Sequence, residues 1–358
     1  MYATREEEAH FPAQRIPAEW ERHAATWIGW PHHRADWPGK FEPIPWVYAE
    51  IVRALHGHER VEVLCDDETV ENEARGALVA HGVDLRKVGL HVAGTDRVWL
   101  RDSAPTAVIA PNGTAHWVRW RFNAWAKYDN FARDELIGIR IAELSGMDRE
   151  EALRPDGGGR LVLEGGGIDT NGAGALLVTE EWLLSGVQKR NPGLGRADYE
   201  RAFAHYLGIT RTIWLGEGCV GDDTHGHVDD IARFTDERTI VLAVEEDPAD
   251  DNHPRSMDNV RRLAHAARDW PGGLRVVHLP FPRPVTMNDE RLPASYANFY
   301  IANDVVLVPT FNDRNDRFAL NTLAELFPGR EVVGIHAVDL VWGLGTLHCL
   351  TQQQPVSR

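Results

Sequence analysis

The stretch HVDDIARFTDERTIVLAV, residues 227–244, reads as a strand, a tight polar turn and a returning strand. His227 to Phe234 forms the first run, Asp236-Glu237-Arg238 the turn, and Thr239 to Val244 the return. The same plan occurs on either side of it. Val98 to Ile109 is followed by Pro111-Asn112-Gly113 and then Ala115 to Arg121. Leu161 to Ile168 precedes Asn171-Gly172 and Ala175 to Thr179, while Tyr296 to Ile301 precedes Asn303-Asp304 and Val305 to Pro309. A last run, Leu347 to Thr351, ends the chain without a return strand. Internal repetition of this kind is the strongest sequence signal of architecture.

Between the repeats, apolar spacing near 3.6 predicts helices over Asp134 to Leu144, Arg196 to Leu207, Ser256 to Ala267 and Asp316 to Leu326. The N-terminal part adds helices over Pro45 to Leu55 and Thr69 to His81, flanking a strand over Val61 to Cys65. Helix and hairpin units repeated about five times suggest closed radial symmetry, because closure removes exposed strand edges. The class is α/β. Asp102, Glu164, Asp229 and Cys349 fall at comparable places, each in or beside the first strand of its unit. Strands arranged around one axis would bring those four side chains together. No low-complexity tract or long Pro/Ser linker divides the chain, so residues 1–358 are expected to form one integrated domain.

Composition narrows the function. With 358 residues, 43% hydrophobic and 26% charged, the chain is globular rather than disordered. Its longest apolar runs are far too short for a bilayer, and Met1 to Ala9 is acidic and polar, unlike a secretory signal. A cytoplasmic protein with no membrane partner is expected. A formal net charge of −16 argues against nucleic acid as a partner and favours drawing in a cationic small molecule. An acidic surface also serves simply to keep a protein soluble. The sequence leaves a homodimer open.

Three widely spread cysteines do not make a disulfide framework, so reduced thiols are expected. Cys65 ends an apolar strand and reads as a packing residue. Cys219 lies in Gly216-Glu217-Gly218-Cys219 ahead of several acids, which would raise its pKa and blunt it. Cys349 differs, lying between the glycines at 343 and 345 and the polar sequel Thr351-Gln352-Gln353. It is the candidate nucleophile. On a strand, adjacent His348 would point to the opposite face, so the base is sought elsewhere.

The densest polar constellation runs from Gly221 to Asp230. If Gly226 onward is a strand, His227 and Asp229 share a face and pair an imidazole with a carboxylate. A metal reading competes, since His225 and His227 alternate with carboxylates. His-Glu-Xaa-Xaa-His and paired Cys-Xaa-Xaa-Cys are both absent, and no metal is expected. Asp102 stands in Val98-Trp99-Leu100-Arg101-Asp102, with Trp99 as an apolar wall, a cation–π face or a core residue. Glu164 closes the run Leu161-Val162-Leu163 ahead of three glycines, where other groups can approach it closely.

These residues suit guanidine hydrolysis. A guanidinium ion is a planar cation with N–H donors in a fixed fork. Two carboxylates, here Asp102 and Asp229, can grip it by charge-assisted hydrogen bonds and expose the central carbon. Cys349 would attack as thiolate, and His227 would protonate departing ammonia and then activate water. Glu164 would orient and charge-stabilise His227. The course is a tetrahedral adduct, an S-alkylthiouronium intermediate and a ureido product, with no cofactor.

Several motifs in order resemble one family. Pro17-Ala18-Glu19-Trp20-Glu21, Trp27-Ile28-Gly29-Trp30-Pro31-His32, Trp99-Leu100-Arg101-Asp102, Phe122-Asn123-Ala124-Trp125, Glu164-Gly165-Gly166, Gly226-His227-Val228-Asp229 and His348-Cys349-Leu350-Thr351-Gln352-Gln353 carry the likeness. The chain resembles the agmatine deiminases, grouped with the bacterial-type peptidylarginine deiminases in the guanidino-group-modifying superfamily. That resemblance implies a five-bladed, pseudo-symmetric α/β propeller of the pentein kind. It implies Cys349 as nucleophile, His227 as acid/base, Asp102 and Asp229 as guanidinium ligands, and Glu164 as partner to His227. The implied reaction takes agmatine and water to N-carbamoylputrescine and ammonia, in polyamine metabolism. Asp223 is the candidate for the substrate's distal ammonium, and Trp99 and Trp125 for the walls of its aliphatic chain.

Two positions depart from the family pattern. Thr346-Leu347-His348-Cys349 replaces Asn-Ile-His-Cys, and Thr224-His225-Gly226-His227 replaces Thr-Asn-Gly-His. Both sit where substrate contacts are expected. The alternatives are a deiminase of peptidyl-arginine, free arginine or another guanidino compound, a metal-dependent ureohydrolase, and a propeller that binds a cation without catalysis.

Overall fold

The hairpins predicted from turn chemistry are present, and each acquires a third strand. The computed structural model describes residues 14–357, and the Met1 to Ala9 segment lies outside them. Five of its six sheets share one plan. In the second, Thr106–Ile109 pairs antiparallel with Ala115–Arg119, which pairs parallel with Arg149–Glu151. The third combines Asp169–Thr170, Ala175–Thr179 and Arg211–Leu215 in the same way. The fourth uses Ala232–Asp236, Thr239–Val244 and Arg275–Pro280, and the fifth Tyr300–Ile301, Val305–Thr310 and Glu331–His336. A helix links the second and third strands of each, because a parallel return needs a crossover.

The first sheet is closed by the two ends of the chain. Thr351–Pro355 lies antiparallel to His23–Gly29, which runs parallel to Arg60–Cys65 and through it to Val88–Val92. The last run, expected to stand without a return strand, therefore finds one near the N-terminus. No local signal could show this, since the partners lie more than three hundred residues apart in sequence.

The helices form where their apolar faces can be covered. Ile44–Leu55 buries Ile44, Tyr48, Ala49, Ile51, Val52 and Leu55 along one side. A fully buried Ile, Val or Leu contributes about 1.5–3 kcal/mol. That face outweighs intrinsic helix preferences, which differ by only about 0.7 kcal/mol per residue. Arg196–Leu207 ends at Gly208, whose φ of 69° gives the left-handed turn that closes a helix at little cost to glycine. A Cβ there would fall 2.0 Å from Gln14 O, so the position admits glycine alone. Among the described residues, no helix is long and apolar enough to cross a membrane.

The first strands are shorter than expected. Asp102 stands on a one-turn helix, Leu100–Ser103, and strand structure begins only at Thr106. Gly165–Gly167 and Val228–Asp230 are 3-10 turns that precede Asp169–Thr170 and Ala232–Asp236. Leu347–Leu350 is likewise helical, ahead of Thr351–Pro355. Polar and glycine residues replace the apolar alternation at these points, so helical turns win over strand. The inner turns touch in a closed ring. Arg101 Nε donates to His348 O at 3.3 Å, Gly166 N to Asp102 Oδ1 at 3.0 Å, and Asn298 Nδ2 to Asp230 Oδ1 at 3.0 Å. His348 N donates to Asn298 Oδ1 at 3.0 Å, and packing of the Gly165–Gly167 turn against Val228–Asp230 completes the circuit.

Candidate active site

The ring of turns gathers Asp102, Glu164, His227, Asp229 and Cys349 into one buried cluster at the foot of a cleft. The route differs from the strand geometry expected. His227 precedes the Val228–Asp230 turn with φ −60° and ψ 138°, so it and Asp229 converge through a helical turn rather than by alternation. Gly166 makes the convergence possible. A Cβ there would stand 2.7 Å from His227 Nδ1, 2.8 Å from Asp102 Oδ1 and 3.0 Å from Asp229 Oδ2.

Cys349 Sγ lies 3.7 Å from Asp229 Oδ2 and accepts a hydrogen bond from Asn298 Nδ2 at 3.2 Å. Burial, then the charges of Asp229, Asp230 and Asp102, pushes its thiol well above the ordinary value. These groups keep the thiol protonated. A bound cation would reverse the charge part of that effect. Cys65 and Cys219 are also buried, the first pushed up to about 12 and the second well above the ordinary range, chiefly by burial. Neither lines the cleft.

His227 sits between two carboxylates, with Nε2 3.6 Å from Glu164 Oε2 and Nδ1 3.7 Å from Asp102 Oδ1. These are ion-pair distances, too long for hydrogen bonds. Burial alone would lower the imidazole, but Asp102, Glu164 and Asp229 outweigh it and raise the group to about 9. Glu164 is held by Arg190 Nε at 3.0 Å and Trp182 Nε1 at 2.7 Å. Against its burial, the Arg190 and His227 charges bring its carboxyl down to about 2. Asp102 behaves oppositely. Burial, opposed by His227 and reinforced by Asp229 and Glu164, lifts it to about 6.

Asp229 accepts from His348 Nδ1 at 2.7 Å through Oδ2, while its Oδ1 has no hydrogen-bond partner. Burial opposes its ionisation, yet His348 and His227 bring it below the usual carboxylate value. His348 Nε2 lies 2.9 Å from Glu19 Oε2. Glu19 also receives Arg101 Nη2 at 3.1 Å, Arg233 Nη2 at 2.9 Å and Ile301 N at 2.8 Å. His348 was expected on a strand, pointing to the face opposite Cys349; its turn is helical, and its ring reaches Asp229. Glu19 and Asn298 were also missed as site residues. Asn298, a lone amide between Ala297 and Phe299, was the visible signal.

The cleft above the cluster holds about 210 Å³ and is lined by Trp99, Asp102, Trp125, Tyr128, Asp223 and Cys349 among others. Trp99 packs against Trp37, with ring centroids 5.6 Å apart. Trp125 lines the cleft and also donates from Nε1 to Asp102 Oδ2 at 2.8 Å. It sits in a run of left-handed residues, Ala124, Trp125 and Ala126, with φ of 49°, 59° and 54°. Such backbone costs roughly 1–2 kcal/mol per residue and persists where surrounding contacts over-determine it. Asp223 reaches the cleft with both oxygens engaged, by Lys127 Nζ and Tyr128 OH.

The acidic stretch does not converge as a whole. His225 turns away to Ser185 Oγ at 2.9 Å, and Asp222 binds the backbone amides of Gly226 and His227. Asp229, Asp230 and Cys349 do bring ligand atoms within 4.8 Å of one another. Asp230 Oδ1 is already bonded to Asn298, and neither histidine joins the group. The ligand set of the metal alternative is therefore dispersed.

Comparison with known proteins finds relatives that match nearly the whole chain. The agmatine deiminase of Ectopseudomonas mendocina is 34% identical over 364 residues, covering 95% of each chain. That of Pseudomonas aeruginosa is also 34% identical, covering 96% of each. Among solved structures, the agmatine deiminase of Enterococcus faecalis superposes with a TM-score of 0.86 at 28% identity, covering 97% of this chain and 98% of its own. The C. jejuni agmatine deiminase with substrate bound gives 0.85 at 25%, covering 96% and 97%. The profile of the Porphyromonas-type peptidyl-arginine deiminases matches residues 15–355, which include all five sheets, and to that family the chain belongs.

Proposed function

We propose that the protein is a cysteine-dependent deiminase that hydrolyses agmatine to N-carbamoylputrescine and ammonia. One observation carries the reading: a thiol 3.7 Å from a carboxylate whose second oxygen is unclaimed, in a buried cluster with another carboxylate and an imidazole. Such a site asks for a cation, and a guanidinium can meet both carboxylates with paired N–H groups.

In this mechanism Asp102 and Asp229 hold the guanidinium plane against Cys349. Entry of the cation into the acidic pocket displaces the thiol proton to solvent, an exchange of one positive charge for another. The thiolate bonds to the central carbon and gives a neutral tetrahedral adduct. Protonated His227 donates to one amino nitrogen, which leaves as ammonia and leaves a thiouronium on Cys349. Neutral His227 then takes a proton from water as the hydroxide adds. Collapse breaks the C–S bond, the departing sulfur takes the adduct's hydroxyl proton to restore the Cys349 thiol, and the neutral ureido product is released. Glu164 keeps His227 charged and in place, itself neutralised by Arg190.

The size of the cleft favours agmatine over a peptide-borne arginine. At about 210 Å³ it falls below the ~300–1,000 Å³ typical of sites for drug-sized ligands and suits a slender chain. Scoring ammonia and ureido product from agmatine, free arginine and a peptidyl-arginine tests the assignment. Release from arginine or peptide but not from agmatine would overturn it. Mass spectrometry should find the intermediate on Cys349, and none on a Cys349→Ala chain.

A further inference from the structure

Behind the cleft, residues 185–191 join the helices Glu180–Leu184 and Arg196–Leu207 as a short strap. Its Arg190 is fully buried and does more than neutralise Glu164. Nε goes to Glu164 Oε1 at 3.0 Å, Nη2 to Thr224 O at 2.5 Å and Nη1 back to Gln188 O at 2.8 Å. The last bond fixes Gln188 with φ 43°, a left-handed backbone that a residue with a Cβ keeps only under constraint.

The Gln188 side chain uses that placement. Its Nε2 donates to Trp125 O at 3.2 Å and to Asp223 O at 3.0 Å. Both partners are carbonyls, so the amide must turn its nitrogen to them. Trp125 and Asp223 line the cleft and Gln188 does not, so one amide ties two of its walls from outside. Trp125 is the middle of the three left-handed residues 124–126, a turn that needs such support. Its indole in turn donates from Nε1 to Asp102 Oδ2 at 2.8 Å. The strap therefore holds Glu164, beside His227, through Arg190, and it holds Asp102 through Gln188 and Trp125.

Resting on the deiminase reading above, we propose that Gln188 is a positioning residue, a clasp between Trp125 and Asp223 that aims the Trp125 indole at the guanidinium ligand Asp102. It touches no substrate and acts only through the tryptophan. Around Asp102 stand His227, with Nδ1 3.7 Å from Oδ1, the Gly166 N–H, the carboxylates Asp229 and Glu164, and the Cys349 thiol. Burial and the two carboxylates favour its neutral acid, whereas His227 and the indole N–H favour its anion. Loosening the clasp removes the indole's share, so Asp102 rises above about 6. His227, lowered by burial and raised by carboxylates that are all ionised near pH 9, keeps its value.

The test follows kcat/KM for agmatine against pH. Gln188→Met keeps the length of the side chain and loses both donated bonds. It should move the acid limb up by about half a unit or more and leave the alkaline limb in place. KM should rise about 3- to 10-fold with little change in kcat, the scale of one weakened hydrogen bond to a charged group. Trp125→Phe should give the same signature more strongly. The double variant should shift no further than Trp125→Phe alone, because the clasp acts through the indole N–H. An unmoved acid limb in Gln188→Met, or a double variant whose shift is the sum of the two, would overturn the inference. Should Gln188→Met fail to fold, Gln188→Asn, whose shorter amide cannot span both carbonyls, carries the same test. Calorimetry of agmatine on Cys349→Ala across pH, with and without Gln188→Met, reads the clasp without turnover. If no chain releases ammonia but the acid limb of binding moves with Gln188, the reaction assignment fails and the clasp stands. If ammonia is released and the acid limb does not respond, the reverse holds.

Discussion

His348 Nδ1 lies 2.7 Å from Asp229 Oδ2, so the residue beside the nucleophile holds the carboxylate that faces it. With its Nε2 2.9 Å from Glu19 Oε2, the ring bridges two buried carboxylates. His348→Ala removes both contacts. Breaking a buried charged pair costs about 3–5 kcal/mol of stability, and misplacing a reacting group by an ångström costs about 100-fold in rate. Denaturant unfolding and kcat/KM should both register the loss, and His348→Gln, whose amide can keep one of the two contacts, should fall between. A folded alanine variant with activity within a few-fold of normal would show that Asp229 needs no such support.

The pH profile of kcat/KM should be bell-shaped. Asp102 must be ionised to bind the guanidinium, so activity rises as pH passes about 6. His227 must carry its proton to release ammonia, so activity falls as pH passes about 9. The two limbs belong to the coupled cluster rather than to single residues. Glu164 raises both groups, so Glu164→Gln should move both limbs to lower pH. An unmoved alkaline limb in that variant would remove Glu164 from the role assigned to it.

Alkylation of Cys349 should depend on the charge of the reagent. The thiol is held protonated by burial and three carboxylates. Neutral iodoacetamide should therefore react slowly near neutral pH and faster as pH rises. A cationic haloacetamidine, which carries the missing positive charge, should label Cys349 at least about 10-fold faster. Equal rates for both reagents, followed by peptide mapping, would show a thiolate already present before substrate binds.

Gly166→Ala is the smallest change that should silence the site. The added methyl would press on His227, Asp102 and Asp229 together, at 2.7–3.0 Å. A displacement of that size should lower kcat/KM by about 100-fold or more while the far-ultraviolet spectrum stays native. Near-normal kinetics would mean that the three side chains can part without loss.

Much of the fold was legible where one local signal dominated. The return strands Ala175–Thr179 and Thr239–Val244 and the helices Arg196–Leu207 and Asp316–Leu326 begin and end where the apolar pattern places them. The third strands, such as Arg149–Glu151, escaped because their parallel partners lie across a helix and leave no turn to read. The site was legible as residue types and illegible as geometry. Cys349, His227 and the carboxylates carry chemistry in their names, whereas His348 and Glu19 matter only through contacts across the ring. Asp102 and Cys349 were read as strand residues because the turns that present them are one turn long, too short for any periodicity.

The seam between His23–Gly29 and Thr351–Pro355 has a consequence for how the protein comes into being. Closing so long a loop is entropically expensive and slow compared with the local hairpins. Domains begin to organise as the chain is synthesised from its N-terminus. A nascent chain that has reached Val341 already holds Asp102, Glu164, His227 and Asp229, but neither Cys349 nor the strand that closes the first sheet. The reactive thiol arrives with the closure itself, so the last step of assembly is also the step that switches the chemistry on.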